Sequence, residues 1–234
     1  IPEGTVVIGE GAFAGCELLT EIKIPDSVTT IMPGAFSGCN FVTKLEISAS
    51  VTELTGAFEG LKNLSTIIID ENNPRYTVVE NCIMEKKTNK LVLSNSNAFI
   101  PEGTVVIGEG AFAGNTNITS IVIPETVTTI EARAFADCIA LESLTLSKGL
   151  VTIGKEAFAN CIKLESFKIP RGITTIGDYA FEGCEKIVRL DIPTSVTTIG
   201  ERFRYNEYDG CTSLNYASEE SLPNSVTSIG VDFR

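Results

Sequence analysis

Apolar side chains recur along this 234-residue chain at a near-constant period of 23 residues. The phrase at residues 1–15 returns letter for letter at residues 100–114, and the shorter period lies inside that long one. An Ala-Phe pair marks each short repeat, and the phenylalanines of these pairs are Phe13, Phe36, Phe58, Phe112, Phe135, Phe158 and Phe181. A fixed period of roughly 20 to 50 residues indicates an array of stacked units.

The unit at residues 161–184 shows how the pattern predicts local structure. An L-x-x-L-x-L motif begins at Leu164 and predicts a short strand over 164–169. Pro170 ends this strand, because proline has no N–H to donate to a neighbouring strand. A second short strand is predicted over 173–176, followed by a single helical or 3₁₀ turn that turns Phe181 inward.

The same spacing recurs in the other units. The motif positions are Leu19/Ile22/Ile24, Val42/Leu45/Ile47, Leu64/Ile67/Ile69, Ile118/Ile121/Ile123, Leu141/Leu144/Leu146 and Ile187/Leu190/Ile192. A unit of this size cannot bury its apolar side alone, so its neighbours must cover it in a continuous core. The pattern therefore predicts a solenoid whose adjacent strands lie about 4.8 Å apart.

The complete unit adds V-T-T-I-G-x-x-A-F-x-G-C to the leucine motif, as at 196–200 and 180–184. This combination resembles the BspA-like (Treponema pallidum-type) leucine-rich repeat family, and the resemblance covers nearly the whole chain. It implies the α/β class: a right-handed leucine-rich-repeat solenoid of about 23-residue repeats with a parallel concave sheet, short helical or 3₁₀ turns and an inserted β-hairpin element.

Residues 70–99 interrupt the period. Short strands are predicted at 76–79, 82–85 and 90–93, with turns between them. The segment is similar to a β-hairpin element found in BspA-like arrays. The phrase shared by residues 1–15 and 100–114 leads us to expect that an equivalent insertion precedes residue 1. We therefore treat residues 1–234 as one solenoid and as a fragment of a longer array.

Residues 201–226 form a second break, an irregular C-terminal repeat with loop insertions. Three of the five tyrosines lie here, namely Tyr205, Tyr208 and Tyr216. Loops on a rigid scaffold often bind ligands. We favour the alternative that this is a loosened terminal unit whose aromatic side chains cover the end of the core.

The composition excludes several functional classes. The chain has no histidine, which excludes Ser-His-Asp and Cys-His catalysis and His-based metal sites. Its formal net charge of −12 argues against nucleic acid, because phosphates require a basic surface. There is no run of 18 apolar residues, so this sequence predicts no membrane insertion.

Six of the seven cysteines share one repeat position, which Leu61 and Asn115 occupy in two other units. These cysteines are Cys16, Cys39, Cys138, Cys161, Cys184 and Cys211. A position that accepts Cys, Leu or Asn is a small, mostly buried site in a leucine-rich repeat. We expect free thiols there and neither a disulfide framework nor a zinc site.

Paired carboxylates provide the strongest argument for an enzyme. Glu142 and Glu165 occupy equivalent positions on successive predicted strands, and a glycosidase needs two carboxylates at a controlled separation. The pair is also an ordinary consequence of repetition, with nothing in the sequence to raise one pKa selectively. Residues 70–73 lack the order of a calcium-binding loop. We predict no enzyme activity, no metal and no cofactor.

The outward positions of the leucine motif line the predicted concave sheet. Its centre is apolar or hydroxyl-bearing, and charged residues gather toward both ends, which resembles the anatomy of a protein–protein interface. A solvated strand prefers the same threonines and serines, so the pattern has two explanations. The candidate partner-binding residues are Lys23, Lys44, Ile68, Val122, Thr145, Glu142, Glu165, Lys168 and Arg189.

These observations leave two functional hypotheses. The first is a non-catalytic interaction module that binds a protein partner, as repeat scaffolds usually do. The family resemblance implies a surface or secreted protein that adheres to host matrix proteins or to other cells. The second is a structural stalk that presents another domain and binds nothing itself. We expect an extracellular or cell-surface location and mostly monomeric chains, with end-to-end association possible at exposed strand edges.

Overall fold

The computed structural model describes residues 1–95, 97, 99–165, 167–187, 190–201 and 223–230. These residues form short strands and turns, with no helix. The strands are β1 (Val7–Ile8), β2 (Glu21–Lys23), β3 (Thr30–Ile31), β4 (Lys44–Ile47), β5 (Thr66–Ile69), β6 (Tyr76–Val79), β7 (Cys82–Glu85), β8 (Lys90–Leu93), β9 (Val106–Ile107), β10 (Ser120–Val122), β11 (Thr129–Ile130), β12 (Ser143–Thr145), β13 (Thr152–Ile153), β14 (Thr175–Ile176), β15 (Thr198–Ile199) and β16 (Ser228–Ile229).

The leucine motif forms one face of the solenoid, which we call the leucine face. It comprises two parallel sheets, one ordered β2-β4-β5 and one containing β10 and β12. Ile22 and Leu144 are buried while the residues on either side of each are exposed, as the period-two alternation of a half-covered strand requires. The predicted concave sheet therefore exists, in two separate pieces.

The V-T-T-I motif forms the opposite face, which we call the threonine face. Strands β9, β11, β13, β14, β15 and β16 pair in parallel, each with the strand one unit further along the chain. Ile130, Ile153 and Ile176 are fully buried in this ladder. The parallel solenoid predicted from the 23-residue period is thus confirmed.

The Ala-Phe segment forms consecutive β-turns instead of the predicted helical or 3₁₀ turn. In the first unit, Ala14 N–H donates to the Gly11 carbonyl (3.0 Å), whereas Phe13 N–H donates across to Ala35 of the next unit (2.7 Å). Gly11 and Gly15 both have positive φ, at 61° and 67°. Two left-handed residues four positions apart are incompatible with a helix, so the turns form a third ladder between units.

The inserted segment lies between the third and fourth units and separates the core into two clusters. Strands β6, β7 and β8 are antiparallel, and β8 pairs in parallel with β9. Ile83 and Leu93 pack into the N-terminal cluster. Cys82, Met84 and Leu91 pack into the C-terminal cluster. The insertion is therefore buried on both faces and takes the place of a unit in the threonine face.

Two predicted strands are wrong. In the unit that follows residue 184, the described residues 187 and 190–192 form no strand, although the leucine motif continues there at Ile187, Leu190 and Ile192. In the unit at 161–184, residues 164, 165 and 167–169 form no strand, although the leucine motif is present there. Phe167 occupies a position where other units carry isoleucine or leucine, and its ring lies 5.4 Å from that of Phe181 at an angle of 48°. A side chain too large for its packing site displaces the backbone that carries it, and here the strand is lost.

Candidate interaction surface

The leucine face is interrupted between β5 and β10. Ile68 is opposite Glu46 on β4, and Val122 is opposite Thr145 on β12. Ile67 N–H at the remaining edge of β5 donates to the side chain of Asn81, in the turn between β6 and β7 (2.9 Å). Ile68 and Val122, both among the candidate residues of the predicted face, therefore lie on two separate sheets, with the insertion at the edge of β5.

The predicted residues on the N-terminal sheet have different environments. Lys44 pairs with Glu46 on its own strand at 2.5 Å. Their hydrogen bond raises the pKa of Lys44 and lowers that of Glu46. Lys23 is exposed, and 45% of the surface of Ile68 is accessible. Ile68 therefore presents an apolar contact beside Glu46, whose carboxylate is already paired with Lys44.

Four of the predicted residues lie together in the C-terminal half of the leucine face. Glu142, Thr145, Glu165 and Lys168 line one groove of about 600 Å³, which we call the leucine-face groove. The predicted residue Arg189 lies outside the described part of the chain. Besides those four residues, the walls of the groove include Leu144, Leu146, Lys148, Phe167, Pro170 and Arg171.

The groove exists because the backbone ladder opens there. Between β10 and β12, Ile123 N–H donates to the Thr145 carbonyl at 2.8 Å. In the next pair of units, Glu165 N–H still donates to the Glu142 carbonyl (3.0 Å). Leu146 and Lys168 are the residues equivalent to Ile123 and Thr145. Both are described, and no hydrogen bond joins Leu146 N–H to the Lys168 carbonyl. The opening begins beside Phe167, the oversized side chain in this position.

Charge is distributed unevenly along the groove. Glu142 lies directly before β12, and Glu165 is its equivalent in the next unit, so both carboxylates are at one end of the groove. Glu142 forms an ion pair with Lys163 at 3.3 Å. Lys148, Lys168 and Arg171 lie at or beyond the other end, where the structure records no ion pair for any of them within the described residues. A chain of net charge −12 therefore carries a local group of unpaired cations.

Sequence reasoning missed Lys148, Arg171 and the exposed part of Phe167. Lys148 and Arg171 hold equivalent positions in successive units, where other units carry acids such as Asp26 and Glu125. A reversal of charge at one repeat position in two consecutive units was the available signal. It could not reveal a groove, because the opening depends on how Phe167 packs.

Buried thiols account for the cysteine position. Cys39, Cys138, Cys161 and Cys184 donate from Sγ to the carbonyl of the phenylalanine in the preceding unit at 3.1–3.2 Å. Burial raises the pKa of Cys39, and raises that of Cys138 to about 12. A hydrogen bond with Cys184, together with burial, raises the pKa of Cys161. These thiols serve as packing groups and as weak donors.

The described residues contain no group of three or more cysteine and acidic side chains placed to hold a metal ion. Nor does any described segment form a helix of the length and apolarity needed to cross a bilayer. Cys82 in the insertion is fully buried. Its Sγ lies 3.9 Å from the Ser94 hydroxyl and 3.5 Å from the Phe99 carbonyl, so this cysteine is a packed residue of the core.

Known structures share this architecture. A leucine-rich cell-surface protein from Faecalibacterium prausnitzii is 31% identical with a TM-score of 0.68, over 94% of this chain and 62% of that one. A leucine-rich repeat protein from Bacteroides ovatus is 29% identical with a TM-score of 0.51, over 96% of this chain and 49% of that one. This chain therefore spans about half to two thirds of the length of these two proteins.

A more distant similarity supports the fold alone. The pneumococcal vaccine antigen PcpA is 20% identical with a TM-score of 0.65, over 92% of this chain and 58% of that one. No match is found among curated protein sequences.

The family model for the BspA-type leucine-rich repeat region matches residues 1–105 and 105–233, with six copies of the repeat. The chain belongs to the BspA-type leucine-rich repeat family.

Proposed function

We propose that this chain is a non-catalytic protein-interaction module at the bacterial cell surface, and that it adheres to a host matrix protein or another cell through its leucine face. The observation that carries the proposal is the leucine-face groove, which gathers Glu142, Thr145, Glu165 and Lys168 in one concavity of about 600 Å³.

The scaffold supports this function. Backbone hydrogen bonds join successive units at the threonine face and at the turns, and they join β2 to β4 and β5, and β10 to β12, at the leucine face. A surface carried on such a rigid array loses little conformational entropy when it binds. Val122, with 67% of its surface accessible, adds an apolar contact on β10, beside the strand that lines the groove.

Surface location is supported by similarity and by charge. The Faecalibacterium protein that is 31% identical is described as a cell-surface protein. A net charge of −12 keeps a repetitive protein soluble outside the cell. Within the C-terminal part of the face, the apolar Val122 and the charged Glu142, Glu165 and Lys168 would then act as an apolar contact with a charged surround.

The proposal is tested by measuring binding of the chain to immobilised fibronectin, fibrinogen and a panel of other matrix proteins at physiological salt. Charge reversals at Lys23, Lys168 and Arg189 should weaken binding by about tenfold each if they contact the partner. Lys87→Glu is the matched control, because Lys87 is exposed in the turn after β7 and changes charge identically.

Saturable binding to a panel member that the leucine-face variants weaken and Lys87→Glu does not would support the proposal. Two results would overturn it: no binding to any panel member, or binding that all leucine-face variants leave unchanged. The first of these results would favour the stalk, which presents another domain and has no ligand.

A further inference from the structure

We propose that the leucine-face groove binds an oligosaccharide that has one acidic sugar, with a carboxylate, at one end and neutral sugars along the rest of its length. The inference rests on the proposed function and names the chemical class of its ligand. Three features of the groove carry it: cations at one end, carboxylates at the other end, and an aromatic ring among hydroxyl groups between them.

Lys148 and Arg171 lie together at one end of the groove. They hold the same position in successive units, and a Cβ on Gly172 would lie 3.1 Å from the Lys148 carbonyl, so the two turns are in backbone contact. Both cations are exposed, and neither forms an ion pair with a described residue. The carboxylate of Glu125, one unit earlier, accepts instead from the Lys148 backbone N–H (3.1 Å). An arginine beside a lysine binds a carboxylate through charge-assisted hydrogen bonds, so this end is suited to one anionic group.

The opposite end of the groove disfavours further anionic groups. Glu142 and Glu165 are exposed there, and only Glu142 has an ion-pair partner among the described residues, Lys163. A ligand with anionic groups along its whole length would place some of them against these carboxylates. Sugar hydroxyls donate hydrogen bonds to carboxylates, so neutral sugars complement this end. The residues from Glu142 to Lys148 span at most roughly 20 Å, which favours an oligosaccharide over a single sugar.

The middle of the groove combines an aromatic ring with hydroxyl groups. Phe167 is only partly buried, and Ser143 and Thr145 are exposed on β12. A sugar ring has an apolar face of C–H groups and a rim of hydroxyls. Its face therefore packs on an aromatic side chain while its rim forms hydrogen bonds with the polar groups beside it. Lys168, exposed next to Phe167, adds a cation to the same wall.

The test titrates the whole, isotope-labelled chain with two acid-ended trisaccharides, sialyllactose and lactose extended by glucuronic acid, and follows the backbone NMR shifts. Lactose is the matched neutral ligand, acetate supplies a carboxylate without a sugar, and trigalacturonate carries a carboxylate on every ring. We expect the tighter of the acid-ended trisaccharides to bind at least about tenfold more tightly than each of these three. Equally tight binding of any of the three, or no saturable binding of either acid-ended trisaccharide, would overturn the proposal.

Variants of the groove separate its parts. Arg171→Gln and Lys148→Gln each remove the charge of an exposed side chain, so we expect about tenfold weaker binding with an unchanged melting temperature. Lys87→Gln is the matched control and should leave binding unchanged. Phe167→Leu installs the side chain found at the equivalent position of β12 and should weaken binding about fivefold with every cation retained. If the glutamine variants weaken binding while Phe167→Leu does not, the acid is held by charge outside the groove, and the proposal fails.

This proposal and the proposed function fail in different ways. Matrix-protein binding that Lys23→Glu weakens, but that Arg171→Gln and enzymatic removal of acidic sugars from the matrix protein leave unchanged, would retain the interaction module and reject the saccharide site. Absence of any matrix-protein binding, together with groove-dependent binding of an acid-ended trisaccharide, would reject matrix adhesion and retain the saccharide site.

Discussion

The side chain of Asn81 accepts a hydrogen bond from the backbone N–H of Ile67 at 2.9 Å, and so closes the edge of the N-terminal half of the leucine face. Its amide group also donates to the Ser65 carbonyl at 2.5 Å. Asn81 has a φ of 61°, a left-handed conformation that asparagine adopts more readily than most residues. One turn residue thus protects an edge that could otherwise pair with another chain.

We expect Asn81→Ala to lower the free energy of unfolding by about 1–3 kcal/mol, because two edge hydrogen bonds are lost and alanine is strained at this φ. Asn81→Gly is the control, since glycine adopts this φ without strain but also lacks the side chain. Urea denaturation followed by circular dichroism measures both. If Asn81→Gly were as stable as the parent, the hydrogen bonds would contribute nothing.

Asn73 anchors the insertion to the third unit. It is fully buried, and its amide donates to the carbonyls of Ser48 (3.0 Å) and Val51 (2.9 Å). Its side-chain oxygen accepts from the N–H groups of Arg75 (3.0 Å) and Tyr76 (2.8 Å). All four hydrogen-bonding positions of the amide are used, and each partner lies near the junction between the array and the insertion.

Asn73→Ala should lower the free energy of unfolding by about 3–5 kcal/mol, because it leaves several buried backbone groups unpaired. Asn72→Ala, one residue earlier, should cost under about 1 kcal/mol, since Asn72 is exposed and its amide donates to Asp70, which is itself in the same turn. Thermal and urea unfolding of the two variants make the comparison. Similar losses in both would contradict the anchoring role of Asn73.

Two glycines in the same repeat position differ only in their surroundings. Gly15 and Gly114 have φ values of 67° and 72°. A Cβ on Gly15 would meet nothing within 4 Å, whereas one on Gly114 would lie 2.9 Å from the Cα of Gly60. The contact is with backbone, so it cannot be relieved by rotation of a side chain.

Gly15→Ala should therefore cost about 1–2 kcal/mol, the strain of a left-handed alanine. Gly114→Ala should cost at least about 1 kcal/mol more, because the third and fourth units are joined here by the bond from Gly60 N–H to the Ala113 carbonyl (2.8 Å) and would be forced apart. Denaturant midpoints of the paired variants test the difference. Equal losses would show that the turn ladder shifts without cost.

Sequence alone predicted much of this molecule. The 23-residue period specified the parallel solenoid, and the strands at 76–79, 82–85 and 90–93 lie where turn residues and apolar runs placed them. These features depend on local patterns that each unit repeats. The two residues of positive φ in each turn were not predicted. Glycine, which favours positive φ, is at the first of these positions in some units, as at Gly11, but Arg133 and Glu156 occupy it in others, so the sequence pattern does not reveal the conformation.

The candidate site was predicted only in part. Glu142, Thr145, Glu165 and Lys168 line one groove, because stacking brings equivalent positions of adjacent units together, and their role in binding stays a prediction. The separation of Ile68 from Val122 was not predicted, since nothing in the composition of 70–99 indicates that the insertion would cover the edge of β5. Arg189 lies outside the described residues, so its place on the face stays a prediction.

The buried thiols predict how stability changes in alkali. The pKa of Cys138 is raised by burial to about 12, against about 8.5 for an exposed thiol in the unfolded chain. Between these values the unfolded state loses the proton and the folded state keeps it. The unfolded state then binds fewer protons, so stability decreases as the pH rises. Burial raises the pKa of Tyr76 to about 12 as well, which adds to the decrease above pH ~10.

Below pH ~8 we expect the contribution of Cys138 to the free energy of unfolding to be constant. Above pH ~9 this contribution should fall by up to about 1.4 kcal/mol per pH unit. Urea denaturation of the parent and of Cys138→Ala at pH 8, 9, 10 and 11 measures the slope. The variant loses packing at every pH. Because the alanine cannot ionise, its slope should be shallower by that of one proton, and parallel slopes for the two proteins would mean that Cys138 ionises equally in the folded and unfolded chains.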